Sequence, residues 1–316
     1  MAKNDLLVVG ELNVDLILNG IQGFPKIGKE IVANDLTLTL GSSSAIMAAN
    51  AAALGLSTGF AGMVGNDQFG DYILETLEDR NVSTAFVRRS DSHQTGVTVV
   101  MNYDEDRANV TYCGAMEAMT SLDIPWFEMS DYRHFHLSNF FLQKGLHQEI
   151  TAIFKKVKSL GLTTSLDLQW DPADVWNFDY KECLPYVDVF MPNEAEILRL
   201  TQEDSVEDAL KQVEPFANTI ALKMGSKGSL GIKNGNRIQV SAFKADVYVD
   251  SIGAGDSFNS GFIAKYLQGA ELADCLLNGN LMGAINTTMA GGTEAFKDKK
   301  ALQTKIEQLQ HSKTTS

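Results

Sequence analysis

The chain predicts an α/β protein: a mostly parallel sheet covered by helices on both faces, with a small separate β-sheet lying over the edge of that body. Three observations lead there. Short apolar runs alternate with helical patterns along the 316 residues, which is the rhythm of strand–helix–strand units. The runs are nearly continuous in hydrophobicity, as strands buried on both faces must be. Two segments, 14–40 and 95–114, break the rhythm. They read as antiparallel hairpins that are too short to stand alone.

Each element follows in order. "LLVVG" at 6–10 is a buried strand. "VDLILNG" and "EIVANDLTLTL" supply the first hairpin. "SSAIMAANAAALG" at 43–55 is an alanine-rich helix with serines at its start and Gly55 at its end. The second hairpin holds "TGVTVVMNY", the turn "DEDR" and "ANVTYCG". "HFHLSNFF" at 134–141 runs along a strand end. "HQEITAIFKKVKSLG" at 147–161 sets Ile150, Ile153, Phe154, Val157 and Leu160 on one helical face. Strands are expected over 163–169, 187–193 and 219–225, with helices between them. Val247 and Val249 alternate with polar neighbours and predict the end of a further strand. Phe258, Phe262, Tyr266 and Leu267 then mark the buried face of a helix. The tail from about Lys299 to Ser316 ends in polar "HSKTTS" and is expected to fray. The whole, 1–316, reads as a single domain.

Charge narrows the partners. There are 26 basic and 40 acidic residues, a net charge of −14. Such a chain repels nucleic-acid phosphates. Its basic clusters, Lys155-Lys156 and Lys297 to Lys300, are short and read as solvated helix faces. A small anion is still admissible, because backbone N–H groups hold phosphate without side-chain charge. No apolar run reaches membrane-spanning length. "MAKNDLLVVGE" lacks the pattern of a signal peptide. Cys113, Cys183 and Cys275 lie far apart and read as reduced thiols. The expectation is a cytoplasmic protein with no nucleic-acid and no membrane partner.

The stretch "VDSIGAGDSFNSGF" at 249–262 carries the chemistry. Gly253, Ala254 and Gly255 fall at a helix N-terminus, where backbone N–H groups lack intrahelical acceptors and the helix dipole is positive. That is an anion hole. Asp256 sits at the same end and can accept a proton from a hydroxyl lying against it. An ordinary glycine turn with Asp256 as a helix cap would show the same four residues. The pattern is neither a Walker A loop nor a dinucleotide fingerprint.

Its company is more specific. "DSIGAGDSFNSGF" closely resembles the C-terminal signature of the ribokinase-like (PfkB) carbohydrate kinases. In family order, "VVGELNVDLI" resembles their first strand and substrate turn. "GSSSAIMAANAAALG" resembles "GGxxxNxAxxxAxLG", and "GMVGNDQFGDYI" resembles "GxVGxDxxG". "MPNEAE" is similar to "NxxE", "LKMGSKGSLG" to "TxGxxG", and "GNLMGAINTTMAGG" to "ANAAGAxxxxxxGA". The resemblance implies a three-layer α/β/α fold with a β-lid. It also implies ATP- and Mg²⁺-dependent phosphorylation of a hydroxyl, by default a hydroxymethyl, on a sugar-like molecule. A nucleoside kinase of the same fold and a non-catalytic sugar- or nucleotide-binding regulator are the alternatives.

By this resemblance Asp256 is the catalytic base and Gly253, Ala254 and Gly255 form the anion hole. Lys223, Gly225, Gly228, Asn280 and Gly283 fall on the nucleotide side. Asn193 and Glu196 organise Mg²⁺, through water. They also read as a helix N-cap and its capping-box partner. Asn13, Asp15, Gly41 and Ser42 face the acceptor. A monovalent cation such as K⁺ is admitted in the loop containing Asp250 and Ile252, and a homodimer through the lid is allowed. The chain departs from the family pattern at Ser42, usually glycine, and at Ile46, usually asparagine. The second departure takes a polar contact from the acceptor site and points toward a deoxy sugar, a nucleoside or a modified ligand. "SLDLQWDPADVW" lacks the "DxNxR" pattern of ketodeoxygluconate kinases. Trp170 and Trp176 are read as packing, His134 and His136 as structural, Arg88 and Arg89 as a surface pair. Ser138 and Asn139 are candidates to face the acceptor.

Overall fold

A computed structural model describes residues 3–103, 106–245 and 247–314. The chain opens with β1 (Asn4–Val9), β2 (Asn13–Asn19), β3 (Asp35–Leu40), α1 (Ser43–Ala53), β4 (Thr58–Gly65), α2 (Gln68–Asp79) and β5 (Val82–Ser90). It continues through β6 (Gly96–Tyr103), β7 (Asp106–Tyr112), β8 (Tyr132–Ser138), α3 (Ile150–Ser159), β9 (Thr163–Asp167), α4 (Tyr180–Cys183), β10 (Val189–Phe190), α5 (Glu194–Thr201) and α6 (Val206–Val213). It closes with β11 (Thr219–Lys223), β12 (Ser229–Lys233), β13 (Asn236–Val240), α7 (Ala254–Leu267), α8 (Leu272–Asn286) and α9 (Lys299–Thr314).

Nine strands form the central sheet in the order β13-β12-β11-β10-β9-β8-β1-β4-β5. All neighbours are parallel except β11–β12 and β12–β13. Period-two alternation splits β1 between two cores. Leu7 and Val9 join Phe135, Leu166, Phe154 and Ile197 on the face under α3, α5 and α6. Leu6 and Val8 join Phe60, Ala48, Ile73 and Phe262 on the face under α1, α2 and α7. Two apolar layers sandwich the sheet, which is the three-layer α/β/α arrangement that the resemblance implies.

The second sheet has the order β3-β2-β6-β7. β2–β3 and β6–β7 are antiparallel, while β2 and β6 pair in parallel and join the two hairpins. Register gives this lid two chemically distinct faces. Leu16 lies opposite Leu38 and Val99, and Val99 opposite Val110. Asp15 lies opposite Thr39 and Thr98, and Thr98 opposite Thr111. One face is apolar and points outward, with Leu36 60 % and Val110 61 % exposed. The polar face looks at the body. In the expected "DEDR" turn, Asp104 and Glu105 lie outside the described residues.

Three local expectations change. Helix α7 is buried on all sides from Asp256 to Ala264, not along one stripe, because it runs between α1 and α8. Val247 and Val249 are not strand: the sheet edge ends at Val240, and both side chains are exposed in an irregular segment. The tail is helical over Lys299–Thr314, with Leu302 and Leu309 buried against Leu281, Ile285 and Phe296. Apolar residues spaced within that polar run found a third cluster to cover. No helix among the described residues is long and apolar enough to cross a membrane.

Candidate active site

The carboxyl ends of β1, β8, β9 and β11 converge on the N-terminus of α7, where ligands gather in open α/β sheets. Gly253 caps α7 with φ 74°. A Cβ there would lie 2.6 Å from the Gly292 Cα, so the turn needs glycine for both its backbone conformation and its packing. Asp256 follows in the first turn and is 6 % exposed. Burial, followed by the field of Asp167, pushes its carboxyl well above the usual range, and Glu11 and Glu196 add to this against the opposing pull of Lys223.

A charged cluster backs this acid. Lys223 Nζ lies 2.6 Å from Asp167 Oδ2, with the two side chains 11 % and 0 % exposed. Asn259 Nδ2 donates to the same oxygen at 2.5 Å and Gln169 Nε2 at 3.0 Å. Gln169 Nε2 also donates to Asp256 Oδ1 at 3.0 Å, tying the two acids together. Asp167 Oδ1 has no partner. Burial works against the charge on Lys223, yet the surrounding acids, Asp167 foremost, hold its pKa above the usual value. Lys223 is therefore not a solvated strand-end lysine. Asn193 and Glu196 form a reciprocal capping box at α5, with Glu196 N donating to Asn193 Oδ1 at 2.9 Å. The Glu196 carboxylate accepts from Asn193 N and Nδ2, and burial raises its pKa to about 7. Two buried acids beside a lysine suit a divalent ion held through water, and the unpartnered Asp167 oxygen is the acceptor such a shell would use.

On the lid side, Asn13 Nδ2 donates to Asp15 Oδ1 at 2.9 Å and to Thr98 Oγ1 at 3.1 Å. Burial raises Asp15 to about 6. Gly41 abuts this pair: an added Cβ would sit 2.3 Å from Asp15 Oδ1 and 2.5 Å from Asn13 Nδ2. Ser42 behaves otherwise. It caps α1 in a left-handed conformation, φ 69°, accepting from Ala45 N at 2.9 Å and donating to Glu11 O at 2.6 Å. Its hydroxyl is spent on the backbone. Ile46, the other departure, is buried against Gly292 and Gly253 and so supports the glycine turn.

Sequence reasoning missed Glu11. It is 1 % exposed, accepts from Ser44 N, Ser44 Oγ and Asn139 Nδ2, and is raised by burial to about 7. The signal was an acid closing an apolar strand run, and Asp167 ends its own run the same way. Asn139 stands with Glu11, whereas the Ser138 hydroxyl is buried and unpartnered.

On the opposite side of the turn lies a cavity of about 430 Å³. Lys223, Gly225, Gly228, Ala254, Gly255, Asn280 and Gly283 line it, together with the irregular 242–245 segment. The five residues expected on the nucleotide side thus line one cavity. Asn280 spends its amide on Val240 O at 2.9 Å, tethering the segment that bounds the cavity. The remaining candidates stand apart. His134 and His136 form a buried chain through Ser165, with contacts of 2.7 Å and pKa values lowered by burial. Trp170 and Trp176 pack edge to face on each other. Arg88 pairs with Asp123 and Arg89 with Asp71 on the surface.

This arrangement matches known proteins throughout its length. The pattern described as pfkB family carbohydrate kinase matches residues 3–299. A sugar kinase of Archaeoglobus fulgidus, described as uncharacterized, is 30 % identical over 73 % of this chain and 91 % of its own. The structure of Arabidopsis thaliana ribokinase complexed with ribose and ATP superposes with a TM-score of 0.82 at 26 % identity, covering 96 % of this chain and 99 % of that one. A putative ribokinase II from E. coli, in complex with ATP and Mg²⁺, superposes with a TM-score of 0.81 at 22 % identity over 96 % of this chain and 99 % of that one. With its α/β/α body, separate lid and buried acid behind a glycine turn, the chain belongs to the pfkB family of carbohydrate kinases.

Proposed function

We propose that the chain transfers the γ-phosphoryl group of ATP to a hydroxyl, by first choice a hydroxymethyl, of a sugar or sugar-like acceptor, with Asp256 as general base. One observation carries the reading. Asp256 is a buried carboxyl of raised pKa, held by Gln169 in the first turn of a helix whose N-terminus opens on a cavity of about 430 Å³. A raised pKa makes it a better proton acceptor. The acceptor hydroxyl gives its proton to Asp256, its oxygen bonds to the γ-phosphorus, and the bond to the ADP oxygen breaks. The N–H groups of Gly253 to Gly255 stabilise charge on the moving group. Lys223 and the glycines at 225, 228 and 283 suit the donor side. Mg²⁺, organised by Glu196, Asn193 and Asp167, supplies charge neutralisation when bound.

Asn13, Asp15 and the Gly41 backbone hold the acceptor from the lid side, and closure excludes water. A nucleoside acceptor drew its support from the Ile46 departure. Ile46 packs under the glycine turn, so a sugar is the better reading. We read 1–316 as one domain whose outer lid face pairs with a second copy. Leu38→Glu on that face is expected to halve the particle mass in sedimentation, and an unchanged mass refutes the pairing.

ADP release from Mg-ATP against pentoses, hexoses, sugar acids, sugar phosphates and nucleosides tests the function. Asp256→Asn is expected to bind ATP normally and lose turnover by about 10³-fold. Near-wild-type turnover in that variant would remove Asp256 from the chemical step.

A further inference from the structure

The loop that the family pattern offers to a monovalent cation is closed here by the chain's own donors. Asp250 Oδ1 accepts from Ile252 N at 2.9 Å, and Oδ2 from Gly291 N at 3.0 Å. The Ile252 carbonyl accepts from Asn286 Nδ2 at 2.5 Å. Asn286 Oδ1 in turn accepts from Ser257 Oγ at 3.0 Å, and Ser257 Oγ accepts from Asn50 Nδ2 at 2.9 Å. Asn50 Nδ2 also donates to Gly292 O at 2.9 Å. The relay is dry: Asn50, Ser257 and Asn286 are each 0 % exposed.

Its place in the fold gives it a task. Asn50 lies on α1, one turn beyond Ile46. Ser257 lies on α7 next to Asp256, and Asn286 ends α8. Gly292 and Ile46 press on Gly253 from the same side. The three polar side chains and Ile46 therefore clamp both flanks of the glycine turn, 250–252 and 291–292, to the helices behind it. A bound cation would neutralise the Asp250 carboxylate and gather loop carbonyls. Here two backbone N–H groups meet that carboxylate, and an amide N–H is aimed at the Ile252 carbonyl. An amide donor is partially positive and repels a cation approaching the same oxygen. The loop thus does not fit the ion that the pattern allows.

We propose that an Asn50–Ser257–Asn286 relay replaces the monovalent cation, so that the anion-hole turn is positioned, and the enzyme turns over, without K⁺ or Na⁺. The inference rests on the kinase reading of the same turn. Asn50, Ser257 and Asn286 act through the Gly253–Gly255 backbone and are positioning residues.

The test compares KCl, NaCl and choline chloride at one ionic strength, reading both turnover and the thermal midpoint of unfolding. Wild-type turnover is expected to stay within about twofold across the three salts, and the midpoint to be indifferent to K⁺. Asn286→Ala frees the Ile252 carbonyl and leaves Ser257 without its acceptor. It is expected to lose about tenfold or more in choline chloride, to recover severalfold in KCl, and to gain a K⁺-dependent rise in midpoint. A general structural defect would not be rescued by K⁺ in this way. Asn286→Asp, of matching size and without the amide donor, is expected to gain the same midpoint response if the alanine variant does not fold. Activation of the wild type by K⁺ of about tenfold, or a K⁺-raised wild-type midpoint, overturns the proposal. If no acceptor is phosphorylated in any salt, the kinase reading fails, while the midpoints still decide whether the wild-type loop takes the ion.

Discussion

A Cβ added at Gly255, on the proposed donor side of α7, would come no nearer than 3.7 Å to Lys223 Nζ, whereas one added at Gly41, on the proposed acceptor side, would lie 2.3 Å from Asp15 Oδ1. The contrast extends to materials. The cavity on the proposed donor side is lined largely by glycines and alanines, with Lys223, Phe243, Tyr248 and Phe258 among them. The acceptor side is built from Glu11, Asn13, Asp15 and Asn139, which already hydrogen-bond within the protein. A phosphate chain needs N–H groups and room, which backbone supplies for any sequence that leaves space. A polyhydroxylated acceptor needs side chains at set positions, and each one left unpaired costs binding. On the proposed assignment of the two sides, donor use is general and acceptor choice particular to this chain.

The comparison breaks first at Lys223, which serves both sides. Lys223→Met removes the partner of a fully buried Asp167 and leaves Asp256 among acids only. It is expected to cost about 3–5 kcal/mol in chemical denaturation and to abolish measurable turnover. A stability loss below about 1 kcal/mol would show that Asn259 and Gln169 suffice to hold Asp167.

Glu11 separates the two sides by pH. Its folded pKa is raised from 4.5 to about 7, so the native state holds more protons than the unfolded chain between those values. Its contribution is complete below pH 4.5 and is lost as the pH rises through about 7. The sum is about 3 kcal/mol across that window. Glu11→Gln is expected to flatten this part of the stability–pH curve of the ligand-free protein, measured by urea unfolding, with KM for ATP unchanged. An unaltered slope would mean that Glu11 titrates as an ordinary carboxyl.

Gly41 and Ser42, adjacent in sequence, are expected to respond oppositely. Gly41→Ala should raise the acceptor KM by about tenfold through its collision with Asn13 and Asp15, leaving the ATP KM in place. Ser42→Gly should leave both constants alone, because that hydroxyl caps α1. Trading a cap for relief at φ 69° should move stability by about 1 kcal/mol or less. A raised acceptor KM in Ser42→Gly would return that serine to the acceptor site.

Much of this was legible from residue order alone. Strand–helix alternation, the two lid segments and the glycine turn with its acid are local signals, since each rests on neighbours in sequence. Glu11 and Asp167 were harder to see, because an acid ending an apolar run becomes a site residue only when another strand end lies beside it. Asn50 looked like one amide in an alanine-rich helix. The place of Ile46 beside Gly253 and Gly292 was not legible, because family position says which residue changed and not what it touches.

The sequence by itself determined the layered α/β architecture, the family and the placement of Asp256 behind Gly253-Ala254-Gly255. Periodicity, turn chemistry and helix termini are short-range properties of the chain. Only the tertiary structure decided that Lys223 is paired with Asp167, that the Ser42 hydroxyl is spent on α1, and that Asn50, Ser257 and Asn286 join across three helices. Those outcomes depend on burial and on partners distant in sequence, 56 residues apart in the first case and 207 and 29 in the third, and on the backbone angle of one capping residue in the second. A buried polar group must find whatever donor or acceptor the fold brings to it, and the order of residues does not say which that is.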